Sequence, residues 1–426
     1  MKFKKSIIVF LVVGVLLIAG SLSVMGTTIN VWIGGQVAAL GKTWNSLISQ
    51  FEQQTGIHVN VQLIGFDVYY QKLVAAYESG EGPDVAFADL GGWAPAFASK
   101  GWIIPMTDFL KSWDGTKEIW PELWPAVTYE GKVWGVPWYC DARLLLYNTN
   151  MFKAAGLNPD NPPQTWAELA KDALILTDKS KGIYGYGVSG RMDEETTLGY
   201  MIFLYGAGGQ LLNDDNTKAA FDSPAGFEAL QFYTALARNV SPNAITNNED
   251  SYRPMLAQGK VAMAIGGPWS FPLLAEENPA IVGHYQVAIH PYLVKPASVF
   301  GGWSLVVSTT SKATTADFEF IKFLDSYNTW MEWTEAEGGP LPARKDVSEN
   351  TPAFKQPGVA PMWKIILKLY EDNDLIARPA IPQWPEVSTQ IQKMVESVLL
   401  GQMTVQQALS YYAKQVDNIL AQPINK

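Results

Sequence analysis

Tryptophans and carboxylates placed beside glycine or proline are the side chains of this sequence best suited to chemistry. Trp93 follows Gly91-Gly92, Trp138 follows Pro137, Trp269 follows Gly266-Gly267-Pro268, Trp303 follows Gly301-Gly302, and Trp384 precedes Pro385. Glycine at such places lets backbone and ligand approach closely. A sugar carries C–H patches on its ring faces and hydroxyls at its edges, so it is held by flat aromatic platforms beside charged or amide hydrogen-bonding groups. Among 16 tryptophans and 18 tyrosines most rings belong to the core, and those at strand ends are the candidates for ligand contact. Asp141 has the same character, an acid in an aromatic stretch beside Arg143; an ion pair between the two is the structural alternative.

Catalytic patterns fail on spacing. Gly35 to Thr43 follows a strand and ends in Gly41-Lys42-Thr43, but it holds one residue too many between its glycines to cradle a phosphate. Gly185 to Gly190 fits G-x-G-x-x-G, yet lies mid-chain and runs into Arg191-Met192-Asp193-Glu194-Glu195 without an acidic partner on a following strand. His58, His284 and His290 show no zinc-hydrolase spacing, and Cys140 is the one cysteine, so neither a metal centre nor an intrachain disulfide is expected. Among 41 acidic residues nothing in the spacing marks a glycosidase acid–base pair.

These residues need a scaffold, and the periodicity supplies one. Ile29, Val31 and Ile33 alternate as a strand, and Trp44, Leu47, Ile48 and Phe51 recur as a helix that Gly56 stops. Ile57 to Leu63 alternates again, Tyr70, Leu73, Val74 and Tyr77 return to helical spacing, and Val85 to Phe87 is a short apolar strand. The resulting β-α-β-α-β order opens a parallel, doubly wound α/β sheet, whose ligands gather at the strand ends near 34–36, 65–69 and 89–93. Amphipathic helices close the chain: one carries Val387, Ile391, Met394, Val395 and Val398 and ends at Gly401, and the next starts at a Thr404–Gln407 capping box.

Composition bounds the class. A formal charge of −10 without a basic stripe argues against a nucleic-acid partner. With 48% hydrophobic residues over 426 positions, the chain fills more than one core. Lys2, Lys4 and Lys5 precede an apolar run and the small-residue stretch Gly20 to Gly26, a secretory signal with cleavage expected after Gly26. The uncharged run from Ser6 to Met25 is also about the length that spans a bilayer, so retention as an anchor is the alternative. Ser21 stands where a lipoprotein would need cysteine.

Further motifs carry a resemblance. Gly82-Pro83-Asp84-Val85, Tyr129 to Pro137 running on to Leu146-Tyr147-Asn148, and Ala155-Gly156-Leu157 followed by Thr165-Trp166-Ala167-Glu168-Leu169 come first. Gly259 to Met263, Gly267-Pro268-Trp269, Gly301 to Leu305 and Gly338 to Pro342 follow. In this order the chain resembles, over essentially its whole mature length, the extracellular solute-binding proteins of carbohydrate ABC importers, the maltose-binding-protein-like group. The resemblance implies a two-lobed periplasmic-binding-protein fold (type II) with the ligand cleft between lobes. It places one lobe at 27–138 plus 303–342 and the other at 143–299 plus 347–426, with hinge segments near 139–142, 300–302 and 343–346.

The resemblance also implies sugar contacts at Gln36, Asp89, Trp93, Tyr139, Asp141, Arg143, Trp269, Trp303, Arg344 and Trp384. Arg378 is weighed and left outside that set. Gln36-Val37 stands where the maltose type has an acidic residue and lysine, so the resemblance does not extend to specificity for maltose itself. Implied with these are a non-catalytic, monomeric receptor without cofactor or metal, secreted across the cytoplasmic membrane, and a permease partner. A secreted carbohydrate-active enzyme and an anchored carbohydrate-binding adhesin are the competing readings.

Overall fold

The structure is a computed structural model that describes residues 26–35, 41–337, 341–352 and 360–423. The expected secretion signal up to Met25, Gln36 and the Gly338-Gly339-Pro340 motif lie outside the described residues.

In strand β1 (Thr28–Gly34) Ile29, Val31 and Ile33 turn inward and Thr28 and Asn30 outward, the alternation of a strand covered on one face. Helix Gly41–Thr55 leads to β2 (His58–Ile64), and helix Phe66–Glu78 to β3 (Val85–Asp89). Both β2 and β3 pair with β1 in parallel, the expected opening. A short hairpin, β4 (Thr128–Tyr129) with β5 (Lys132–Val133), precedes β6 (Val136–Ala142). Next come β7 (Leu144–Asn148), β8 (Tyr184–Gly187), β9 (Val261–Gly266), β10 (Tyr285–Ala288), β11 (Ser298–Val307), β12 (Leu341–Pro342) and β13 (Leu375–Ile376).

The strands form two principal sheets. The first runs β12-β6-β11-β3-β1-β2, with β13 joined to the start of β11, and the second runs β10-β7-β9-β8. Parallel pairing in the first sheet stops at β3, because β11 returns late in the chain and inserts antiparallel between β3 and β6. Every residue of β3, β6, β7 and β11 is buried, as expected of strands covered on both faces. Along β7, Leu144 and Leu146 join the core shared with the first sheet, while Leu145 and Tyr147 join a second core with Phe203, Tyr233, Val387 and Leu409. The last helices, Trp384–Leu399 and Val405–Leu420, close that second core, and the Thr404–Gln407 capping box forms as expected.

The chain passes from the first sheet to the second at Arg143, the single residue between β6 and β7. It returns between β10 and β11, where Ser298 Oγ donates to the Arg143 carbonyl at 2.7 Å. Phe300, Gly301 and Gly302 are therefore strand residues, opposite Ala142, Asp141 and Cys140. Residues 343–346 lie against the first sheet. Ala343 N–H donates to the Trp138 carbonyl at 3.0 Å, and helix Lys345–Asn350 packs on β12 and helix Tyr327–Glu337. Helix Ala360–Glu371 packs on β10, and its Met362, Trp363, Ile366 and Leu369 join the first core.

Candidate functional site

The carboxyl end of β3 delivers Asp89, and β6 delivers Tyr139 and Asp141 on one face, with Arg143 in the passage beyond. Opposite, the start of helix Glu194–Gly206 brings Glu194 and Glu195 behind Asp193, and the start of helix Glu249–Ala257 brings Glu249. The stretch after β13 adds Arg378, and helix Trp384–Leu399 begins with Trp384. Acidic residues suit helix N-termini, where the unsatisfied amides favour negative charge.

These side chains assemble around two buried guanidinium groups. Arg143 Nη1 lies 3.3 Å from Asp141 Oδ1, and its Nη2 lies 3.2 Å from Glu195 Oε1. Arg378 Nη2 pairs with Asp89, and its Nη1 lies 3.1 Å from Glu194 Oε1. Glu194 is held further by Trp384 Nε1 at 3.0 Å and Ser388 Oγ at 2.5 Å. Glu249 accepts from Trp269 Nε1 at 2.6 Å and Ser270 Oγ at 3.2 Å, while the Trp269 ring stacks 5.4 Å from the Arg143 guanidinium carbon. Close packing explains two glycines: a Cβ on Gly91 would collide with the Arg378 side chain, and one on Gly301 with both Asp141 and Arg143.

Three polar atoms in this region are buried and have no hydrogen-bond partner among the described residues: Arg143 Nε, Arg378 Nε and Asp193 Oδ1. A buried polar atom without a partner is costly, and two of the three are N–H donors while Asp193 Oδ1 is an acceptor. Asp193 and Glu194 face Phe66, Tyr70 and Trp93 of the first lobe across a narrow cleft, with Pro385 and Gln392 at its side. A larger cavity of about 400 Å³ lies beside Cys140 and Phe300, which alternate in their strands with Asp141 and Gly301. Its lining combines Leu123, Leu212, Ile366, Leu375 and Pro379 with Trp120, Glu122, Tyr205, Asn216 and Arg378, so the cavity borders the arginine–carboxylate cluster through Arg378.

The electrostatics follow from burial under a surplus of acid. Burial pushes the Asp141 carboxyl up to about 6 against the pull of Arg143. It pushes Asp193 up to about 7, with Glu195 adding to it, and burial also raises Glu194. Burial raises Glu249, reinforced by Glu195. Burial opposes the Arg143 and Arg378 cations, but the surrounding carboxylates outweigh it and raise both. Among the described residues no group of three or more His, Cys, Asp or Glu side chains could hold a metal.

Of the sequence candidates, the structure brings together Asp89, Tyr139, Asp141, Arg143, Trp269 and Trp384. Tyr139 is buried near Asp89 and Asp141 and bonds Trp303. Trp303 itself sits in an aromatic cluster with Phe66, Tyr69 and Trp93 at ring distances of 6.3, 5.8 and 5.8 Å. Trp93 joins that cluster and also reaches the cleft. Arg344 stands apart, because Asp346 at 2.6 Å and the Asp325 carbonyl at 2.9 Å hold it in the first lobe. The cluster also holds Arg378, which the sequence reading set aside, and Asp193, Glu194, Glu195 and Glu249, which it did not single out. The acidic run at 193–195 was a visible signal, read only as the sequel to a failed nucleotide motif.

Residues 34–327 match the family model for bacterial extracellular solute-binding proteins. The chain belongs to that family. An ABC transporter solute-binding protein from Thermotoga lettingae, solved with α-D-tagatose bound, is 56% identical to this solute-binding protein with a TM-score of 0.90, over 93% of this chain and 100% of that one. Maltose-bound MalE3 of T. maritima is 27% identical with a TM-score of 0.80, over 92% and 99% of the two chains. The diacetylchitobiose binding protein DasA of Streptomyces coelicolor is 26% identical over 345 residues, 78% of this chain and 77% of its own. The solute-binding protein therefore has the two-lobed α/β fold of the maltose-binding-protein-like group, and these relatives are binding proteins rather than enzymes. No helix among the described residues is long and apolar enough to cross a membrane.

Proposed function

We propose that this chain is the substrate-binding component of a carbohydrate ABC importer: it captures a sugar by hinge closure and hands it unchanged to a permease. The supporting observation is the pair of arginine–carboxylate clusters between the lobes, where Arg143 Nε, Arg378 Nε and Asp193 Oδ1 are buried without partners. Such groups hold hydroxyls in fixed geometry. In this reading the lobes are built around the two principal sheets, and the hinge includes Arg143 and the paired residues of β6 and β11. Asp89, Tyr139, Asp141, Arg143, Trp269 and Trp384 are the proposed ligand-binding set, with Asp193, Glu194, Glu195 and Arg378 added. The protein acts as a secreted monomer outside the cytoplasmic membrane, cleaved after Gly26.

A thermal-shift screen of neutral mono- and oligosaccharides tests this reading, because a ligand that binds only the folded state raises apparent stability. Small-angle scattering with a ligand found in this way should show a smaller radius of gyration, since a sugar shifts the open and closed populations by its differential affinity for them. Release of product from the sugar over time would replace the receptor reading with an enzyme.

A further inference from the structure

We infer that the site takes an uncharged polyhydroxy ligand and rejects the same skeleton once it carries a carboxylate or phosphate, an inference that rests on the carbohydrate reading above. Each buried guanidinium is already shared by two carboxylates: Arg143 by Asp141 and Glu195, Arg378 by Asp89 and Glu194. Neither has positive charge left for an anion. Beside them, the side-chain donors that meet Asp193 and Glu249 are the neutral Asn248 Nδ2, Trp269 Nε1 and Ser270 Oγ.

Two more cations act from the margin. Arg191 acts on Asp193, and Arg253, which acts on Glu249, is bonded to Asp250 at 2.8 Å and Glu277 at 2.9 Å. What each central arginine still offers is one Nε–H, a single donor that suits a hydroxyl or ring oxygen. A phosphate or carboxylate prefers the two-pronged edge of a guanidinium, and in both arginines the Nη groups are engaged. An anion brought into this cluster therefore meets like charge in a low-dielectric setting, where repulsion is poorly screened.

Calorimetry on the full-length mature protein with matched probes tests the inference: D-tagatose against D-tagatose 6-phosphate, D-glucose against D-gluconate and D-glucuronate, and D-mannitol against mannitol 1-phosphate. Binding of a neutral member with its anion weaker by at least about a hundredfold supports it. Equal or tighter binding of the anion overturns it and leaves the carbohydrate reading intact. If no probe of either kind binds, and a broader screen of neutral sugars also fails, the carbohydrate reading falls and the inference with it. Glu194→Gln removes one negative charge, so the ratio of neutral to anionic affinity should narrow by about tenfold or more. That ratio is taken within one variant and is insensitive to a general loss of stability; an unchanged ratio overturns the assignment of selectivity to this cluster.

Discussion

Arg378 and Asp89 are 289 residues apart in the chain and form a buried ion pair. Because Arg378 also binds Glu194, one guanidinium ties the end of β3 in the first lobe to a helix of the second. Arg378→Gln would strand two buried carboxylates, and breaking such a group costs about 3–5 kcal/mol. Urea unfolding should show that loss at pH 8 and a smaller one at pH 5, where the stranded carboxylates take up protons. Equal losses at both pH values would contradict the charge argument.

Trp303 and Trp269 have the same role in sequence and different surroundings in the structure. Trp303 is enclosed by Phe66, Tyr69 and Trp93, so Trp303→Ala should lower stability by about 3–5 kcal/mol. Trp269→Phe keeps most of the ring but removes the indole donor to Glu249, and should weaken sugar binding with a smaller stability loss. Calorimetry and denaturant melts on both variants distinguish the two roles.

Asp141→Asn keeps the side chain's shape and loses its charge. Charge-assisted hydrogen bonds contribute about 1.5–3 kcal/mol, so affinity for the cognate sugar should fall by about tenfold or more. The melting temperature at pH 8 should hold or rise, because burial disfavours the Asp141 anion. A variant that binds normally would remove Asp141 from the site.

Stability should also depend on pH in a defined direction. Asp141 is raised to about 6, and Asp193 and Asp317 to about 7, mainly by burial. An acid whose pKa is higher in the folded state than in the unfolded chain binds its proton more tightly when folded, so stability falls as pH climbs between the two values. Melting temperature should therefore drop from about pH 4 to about pH 7 through these groups. Asp317→Asn, remote from the cluster, should flatten part of that slope.

The opening β-α-β-α-β unit, the closing helices and the Thr404 capping box were readable because hydrophobic period and cap chemistry are local. Asp89, Asp141 and Arg143 were readable as residues, but their partners were not. Arg378 meets Asp89 only because β11 carries the late chain back against β3 and β6, and nothing near residue 378 signals that. Trp303 shows the converse: glycine on its N-terminal side suggested ligand access, whereas the glycines serve close strand packing, where a Cβ on Gly302 would strike the Tyr139 backbone.

The late insertion of β11 also sets when the first sheet can be completed. β3 and β6 have no contact as ladder neighbours until residues 298–307 arrive between them, so a nascent chain lacking that strand holds two unfinished sheet edges. Pairings of such long sequence separation form slowly, because loop closure precedes any reward from packing. The first sheet therefore cannot close until nearly three-quarters of the chain has been made, so strand order by itself sets the latest of its assembly steps.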